Sequence, residues 1–415
     1  MSMEDYERLR ASTSQYYPRF SDEEYERRHR TIRQAMDEHE LDCLVIYGDS
    51  GMSGHNQANT RYLCNYIDHY FTYVVFPRDD EPTLFCKLYC HLPNAMAVSP
   101  IRDVRVSGLN PSAIIARRIR ELGLEKGSIG TVGVDTLNPS IPHDHYVILK
   151  EKLPGARFKN FTPIYEGIRL IASPEEIKFL EKGAELTDLA MEALVDAVKP
   201  GVKDYELYAI SHCSYLRRGG SFFFSLIGST PMSNPTMPYP WPLGYWSNRV
   251  IQPGDIVISE ISGSYFGYSG QINRSIALGQ PTKEYWNIFD LALEAYEEIR
   301  QLLKPGRRKK DIMRVDARIR ERGFVMQAPL VHGWGLNVGP PMMDFFKISD
   351  EVGMPRLPPE FTHMELKENM TVVIHPNICT PDLRRGIYLG NMCRITSNGA
   401  QSYQKYPLEF IVKQV

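Results

Sequence analysis

The sequence has 415 residues, of which 43% are hydrophobic and 24% charged, and its formal net charge is -2. A chain of this size buries a large core and divides into two domains. The near-zero net charge and the scattered Lys and Arg residues give no reason to expect a nucleic-acid partner. The sequence also lacks the ~18 uninterrupted apolar residues of a membrane span and a signal-peptide pattern, so we expect a cytoplasmic protein without a membrane partner.

The first part of the chain is predicted to be an α/β domain. Residues 21–41 begin with Ser21 and Glu24 at capping-box spacing and place apolar residues on one helical face. Short apolar runs typical of strands follow, at CLVIYG, YFTYVVFP, PTLFCKL and TVGVDT, and helical sequence separates some of them. We expect this domain to cover residues 1–168.

A second domain, residues 169–415, is predicted to begin with a strong helix signal. Ser173 is a good N-cap, Pro174 suits the first helical position, and Glu176 completes a capping box. The helix should end at a Lys-Pro-Gly sequence, and a similar helix with the same ending recurs about a hundred residues later. This repetition suggests a domain built from two related halves.

Each half is followed by a predicted antiparallel strand pair. Residues 255–261 should pair with 268–278, and residues 371–379 with 386–396, because both stretches alternate apolar and polar residues around Gly or Pro turns. Polar groups on the facing sides of these pairs would converge in one cleft. The expected fold class is therefore α+β, with an antiparallel sheet in the second domain.

Several motifs in this order resemble the creatinase/prolidase/methionine-aminopeptidase family, which has the pita-bread fold. They are SPEEI with its helix and KPG, NRVIQPGDIVISE, GYSGQINRS, the second KPG, VHGWG, ENMTVVIHP and GIYLGNM. The resemblance covers nearly the whole chain. The α/β domain at the amino terminus is similar to that of the creatinase and prolidase branches.

The resemblance also implies a ligand set, because metal-dependent members hold two divalent ions with two aspartates, a histidine and two glutamates. The aspartates correspond to Glu260 and Gln271, the histidine to His332, and the glutamates to His375 and Gly390. Two adjacent dications need anionic bridging oxygens, and most of these are missing. We therefore expect neither a dinuclear centre nor another cofactor.

Creatinase is the family's precedent for C–N bond cleavage without a metal. Its catalytic histidine lies in a loop that corresponds roughly to residues 229–240, where this chain has no histidine. The glutamates that would hold a guanidinium correspond to Asn273 and His375. Creatine is therefore an improbable substrate, although one pita-bread enzyme opens a cyclic amidine.

We predict Glu260, His332 and His375 as catalytic residues and Gln271 and Asn273 as substrate-binding residues. Glu260 could instead be a salt-bridged strand residue, and His375 a satisfied core histidine. If the two histidines face Glu260, they form either a proton-transfer set or a mononuclear metal site. We favour proton transfer.

Four aromatic or histidine residues outside these strands are further substrate-binding candidates. Tyr239 and Trp241 lie in a Pro-rich, aromatic segment expected to wall the mouth of the site, although a packed surface loop is the alternative. His69 and Tyr70 belong to the first domain, which reaches over the partner's cleft in creatinase-like dimers. The resemblance thus implies a homodimer, although residues such as His69 and Tyr70 are individually more often structural.

The leading hypothesis is a metal-independent, creatinase-like hydrolase that cleaves an amide or amidine C–N bond of a small polar metabolite. A second hypothesis is a lyase or hydrolase with one metal ion held by Glu260, His332 and His375. A third is a non-catalytic pita-bread module that binds other proteins. The sequence does not identify the substrate.

Overall fold

A computed structural model describes residues 3–13, 16–49, 57–134, 140–236, 247–326, 328–343 and 363–415. The chain forms two compact units, Met1–Arg169 and Leu170–Val415. No helix in these described ranges is both long and apolar enough to cross a membrane.

The first unit combines a mixed sheet with surrounding helices. Its helices are α1 (Met3–Thr13), α2 (Asp22–Glu38), α3 (Ala58–Cys64), α4 (Leu92–Val98), α5 (Pro111–Glu121), α6 (His143–Lys152) and α7 (Thr162–Arg169), with a 3₁₀ turn at Tyr89–His91. Its strands are β1 (Cys43–Gly48), β2 (Thr72–Pro77), β3 (Thr83–Cys86), β4 (Asp103–Val106), β5 (Ser128–Val132) and β6 (Arg157–Asn160). The sheet order is β4-β3-β2-β1-β5-β6.

The local signals of this unit act as the sequence predicts. The Ser21 side chain accepts a hydrogen bond from the Glu24 backbone N–H and begins α2. Strands β1, β2 and β3 are buried along their whole length, because helices cover the central strands of an α/β sheet on both faces.

The second unit contains a large curved sheet and two helix pairs. Its helices are α8 (Pro174–Ala197), α9 (Asp204–Leu216), α10 (Lys283–Leu302) and α11 (Lys309–Glu321). Its strands are β7 (Ser221–Pro231), β8 (Asp255–Tyr265), β9 (Tyr268–Ser269), β10 (Ile272–Leu278), β11 (Val325–Met326), β12 (Val331–Gly333), β13 (Gly339–Met343), β14 (Thr371–Ile374), β15 (Ile378–Cys379), β16 (Gly386–Ile387), β17 (Gly390–Thr396), β18 (Gly399–Ser402) and β19 (Ile411–Lys413).

The large sheet has the order β13-β12-β14-β17-β10-β8-β7, and β11, β15 and β16 form a small separate sheet. Strand β8 pairs antiparallel with β10, and β14 pairs antiparallel with β17, as predicted. The second predicted pair is shorter than expected, because β14 ends at Ile374 and β17 begins at Gly390. The α+β fold class is confirmed.

The two halves expected from the repeated Lys-Pro-Gly sequence are present. Helix α8 ends at Ala197 and α9 begins at Asp204, while α10 ends at Leu302 and α11 begins at Lys309. Each link contains a glycine with positive φ, Gly201 or Gly306, a conformation that glycine adopts without strain.

Helix α8 holds the β8–β10 hairpin in place. The capping box at Ser173 forms in both directions. The buried carboxylate of Glu176 also accepts a hydrogen bond of 2.9 Å from the Tyr268 hydroxyl. A side chain at Gly183 would come within 2.6 Å of the Tyr268 carbonyl oxygen, so a glycine is required where the helix approaches the hairpin.

Candidate active site

Strand register places the predicted site residues on one side of the large sheet, which we call the inner face. Asn273 is the Cα partner of Glu260 across β8 and β10, and Gly390 is the partner of Asn273 across β10 and β17. Directly opposed residues point to the same face of a sheet. Glu260, Asn273 and the position of Gly390 therefore share the inner face.

The two histidines belong to neighbouring segments of the same large sheet. Met392, two residues after Gly390, is the partner of Val373, and Val373 is the partner of His332. His375 directly follows the end of β14 at Ile374. The His332 and His375 rings contact each other edge to face, with their centroids 4.7 Å apart.

Glu260 is 5% exposed and its carboxylate Oε1 accepts a hydrogen bond from Gln271 Nε2. Burial raises the pKa of Glu260 to about 7, because the apolar surroundings penalise the charged form. The amides of Asn273 and Gln271 partly offset this effect on the pKa. The carboxyl group can therefore hold or release a proton near neutral pH.

The two histidines differ in which ring nitrogen carries the proton. His332 Nδ1 donates to the Gly333 carbonyl oxygen at 3.0 Å, which leaves a lone pair on Nε2. The Asn377 amide donates from Nδ2 to His375 Nδ1 at 3.1 Å, which places the His375 proton on Nε2. Burial lowers the pKa of His332 to about 4 and that of His375 well below its ordinary value, so both rings are neutral at pH 7.

Several buried polar atoms of this group have no hydrogen-bond partner among the described residues. They are Gln271 Oε1, His375 Nε2 and Asn377 Oδ1. An unmade hydrogen bond in the interior costs roughly 1–3 kcal/mol, so such a concentration of unpaired atoms is typical of a ligand site. His375, for which a satisfied core histidine was the alternative, has no partner at Nε2 within the described residues.

The side chains do not fit a dinuclear metal centre. Glu260 supplies a carboxylate, but Gln271 is a neutral amide that already donates to Glu260. A methyl group at Gly390 would lie 2.5 Å from the Ile374 carbonyl oxygen and 2.6 Å from His375 Cβ, so the fold leaves no room there for a glutamate ligand. His375 and Gly390 are thus a sterically matched pair.

The mononuclear alternative also lacks structural support. Within the described ranges, no three His, Cys, Asp or Glu side chains are grouped so that they could hold a metal ion. Glu260, His332 and His375 all lie in those ranges. The structure therefore does not assemble them as a ligand set.

The remaining predicted site residues lie elsewhere. Tyr239 and Trp241 are outside the described residues. His69 is exposed and its ring contacts Tyr70, which is half-buried and stacks on His91 with a centroid separation of 5.8 Å. These two residues belong to the first unit, and their contribution to a substrate site stays a prediction.

Arg274 has a structural role in the large sheet. Its buried guanidinium donates to the carbonyl oxygens of Asn273, Gly390, Tyr406 and Pro407. These bonds join β10 to β17 and so hold the two central strands of the inner face together.

Sequence reasoning missed two residues that shape the site. Trp334 lies two positions after His332, and their rings are 5.3 Å apart between centroids. Asn377 lies two positions after His375 and sets the tautomer of that ring. The strand period of two residues was the available signal for Trp334, whereas the Asn377 contact depends on a turn that the sequence does not specify.

Comparisons with known proteins agree with this architecture. Residues 178–397 match metallopeptidase family M24, and residues 28–171 match the creatinase/prolidase N-terminal domain. An Xaa-Pro dipeptidase from Pyrococcus furiosus is 27% identical over 285 residues, which cover 68% of this chain and 75% of that protein. An ectoine hydrolase from Halomonas elongata is 24% identical over 418 residues, which cover 95% of this chain and 98% of that protein.

A solved structure, dipeptidase PepE from Mycobacterium ulcerans, shares the fold. Its TM-score is 0.76 at 22% identity, and the match covers 96% of this chain and all of that one. The M24 match alone spans more than half of the chain, including the strands that carry the inner-face residues. The chain therefore belongs to metallopeptidase family M24.

Proposed function

We propose that this protein is a hydrolase that cleaves an amide- or amidine-type C–N bond of a small polar molecule without a dinuclear metal centre. The observation that supports this most is the grouping of Glu260, Gln271, Asn273, His332 and His375 on one buried face. Their unpaired donors and acceptors provide the groups that such a reaction needs.

In the proposed reaction, Glu260 takes a proton from a water molecule as the water oxygen attacks the carbon of the C–N bond. His332 accepts a hydrogen bond at Nε2 and orients that water. His375 Nε2–H and the Asn273 amide donate to the atom on which negative charge develops. Glu260 then passes its proton to the leaving nitrogen, so that the C–N bond is exchanged for C–O and N–H bonds.

The relatives support hydrolysis and differ in their substrates. The ectoine hydrolase matches nearly the whole chain, while the P. furiosus Xaa-Pro dipeptidase matches 68% of it. The altered ligand positions favour a substrate other than an Xaa-Pro peptide. A non-catalytic binding module would not need a buried carboxyl group with a pKa of about 7 beside unpaired donors and acceptors.

We further propose that the protein acts on a small molecule as a homodimer. The family resemblance supports this proposal, because in creatinase-like dimers the first domain of one protomer reaches over the cleft of its partner. Sedimentation of the purified protein would measure its oligomeric state.

A substrate screen tests the proposed activity. The purified full-length chain would be incubated with linear amides, cyclic amides, cyclic amidines, guanidino compounds and Xaa-Pro dipeptides, and products would be detected by mass spectrometry. We expect hydrolysis of an amide or amidine that persists in the presence of a chelator. Robust metal-stimulated cleavage of Xaa-Pro dipeptides would contradict the proposal.

A further inference from the structure

A second group of unpaired polar atoms continues along the inner face beyond Gln271. Ser262 and Ser264 alternate with buried apolar neighbours on β8, at two and four positions after Glu260. Ser264 is the Cα partner of Ser269 on β9. All three serines are fully buried, and none of their hydroxyl oxygens has a hydrogen-bond partner within the described part of the chain.

Trp334 lies near this group, because its ring contacts both His332 and Phe223. Its ring centroid is 5.3 Å from that of His332 and 5.2 Å from that of Phe223, which lies at the irregularity of β7 beside Ser262. The next residue, Gly335, accepts a hydrogen bond at 3.1 Å from the Ser269 backbone N–H. Trp334 is 6% exposed, and its indole Nε1 has no partner among the described residues.

We propose that Ser262, Ser264, Ser269 and Trp334 form a second subsite that binds a carboxylate group of the substrate. Three hydroxyl groups and one indole N–H can supply four donors, and a carboxylate offers about four lone-pair sites. Hydrogen bonds to an ionised acceptor are roughly twice as strong as neutral ones, which favours a carboxylate over a neutral group here. A carboxamide would match fewer of these donors, because its own NH₂ group faces them.

The position of the subsite limits the size of the substrate. A strand rises ~3.4 Å per residue, so Ser262 lies about 7 Å from Glu260 along β8. The bound molecule would therefore carry its carboxylate several bonds from the C–N bond that is cleaved. The distance between the carboxylate and the cleaved bond rests on the proposed function, whereas carboxylate binding at the serines does not.

The indole N–H of Trp334 provides a direct test. In the full-length protein labelled with ¹⁵N-tryptophan, its signal is identified among the 4 tryptophans of the chain by its loss in Trp334→Phe. We expect titration with acetate to shift this signal downfield, and titration with acetamide at matched ionic strength to leave it in place. Ser264→Ala should weaken acetate binding by about tenfold, the effect of losing one hydrogen bond to a charged group.

Ser225 supplies a matched control, because its buried hydroxyl is also unpaired within the described residues but lies opposite Ile261, on the other face of β8. Ser225→Ala should leave acetate binding unchanged. Ser264→Ala should also keep or raise the melting temperature, since it removes an unpaired polar group, whereas a structural serine would lower it.

Three results would overturn the subsite: no shift with acetate, an equal shift with acetamide, or equal acetate binding in Ser264→Ala. If the protein binds acetate in this way but hydrolyses no amide or amidine, the subsite is supported and the proposed function is contradicted.

Discussion

Glu260→Gln is expected to lower kcat by about 10²- to 10⁴-fold, the usual contribution of general acid–base catalysis. The glutamine keeps the shape of the side chain and the hydrogen bond from Gln271, but it cannot carry a proton between water and the leaving nitrogen. Steady-state kinetics on the substrate found by screening would measure the effect. KM should change little if Asn273 and the serine subsite supply most of the binding.

The pH dependence of stability checks that the same carboxyl group is buried in solution. The folded-state pKa of Glu260, about 7, lies above its ordinary value of 4.5, so the folded protein binds this proton more tightly than the unfolded chain does. The resulting stabilisation is fully present below pH 4.5 and is lost as the pH rises through 7, with a total of about 3 kcal/mol. Glu260→Gln removes this dependence.

The histidines have the opposite effect on the pH dependence of stability: they favour the folded state more as the pH rises. The reason is that the folded-state pKa of His332, about 4, lies below its ordinary value of 6.5. Their effect is present in both proteins, so it cancels when the variant is compared with the wild type. Urea unfolding at pH 5 and pH 8 should show the variant gaining stability relative to the wild type as the pH rises. A pH-independent difference, together with unchanged kcat, would remove Glu260 from the proposed mechanism.

Gly390→Ala is expected to lower the free energy of unfolding by about 3 kcal/mol, at the upper end of the usual cost of overpacking. The added methyl group would meet the Ile374 carbonyl oxygen and His375 Cβ at 2.5 and 2.6 Å, so the backbone of β14 or β17 would have to move. Denaturant unfolding would measure the loss.

Gly339 offers the matched control for this substitution. It also lies on a strand of the large sheet, but a methyl group there would meet no atom within 4 Å in the described structure. Gly339→Ala should therefore leave the free energy of unfolding nearly unchanged. If Gly390→Ala were equally neutral, the steric match between His375 and Gly390 would not exist.

Local signals in the sequence predicted much of the second unit. The capping box at Ser173, the Lys-Pro-Gly link and the alternation around Glu260 each depend on neighbouring residues, so they can be seen without the fold. The same alternation, combined with the family resemblance, led to Gln271, His332 and His375. In the structure, Gln271 donates a hydrogen bond to Glu260, and the ring of His375 contacts that of His332.

The relation between His375 and Gly390 could not be predicted in the same way. It arises from the approach of β14 and β17, and the sequence shows only that two family ligand positions are altered. The structure indicates that the changes are linked, because the fold has space for one side chain at this point. The tautomers of the two histidines likewise depend on Gly333 and Asn377 as hydrogen-bond partners.

The residues at the altered family ligand positions therefore fit together as one set of side chains. In place of a set of anionic oxygens, the inner face presents one carboxyl group, two neutral imidazoles and two amides, with Gly390 providing space for His375. Such a set is suited to hydrogen bonding and proton transfer rather than to holding two dications.

Metal analysis combined with activity after chelation tests this account most directly. We expect purified protein to contain far less than one equivalent of zinc, manganese, iron or cobalt, and its hydrolase activity to survive exhaustive chelation. Stoichiometric metal, whose removal abolishes activity and whose return restores it, would contradict the account.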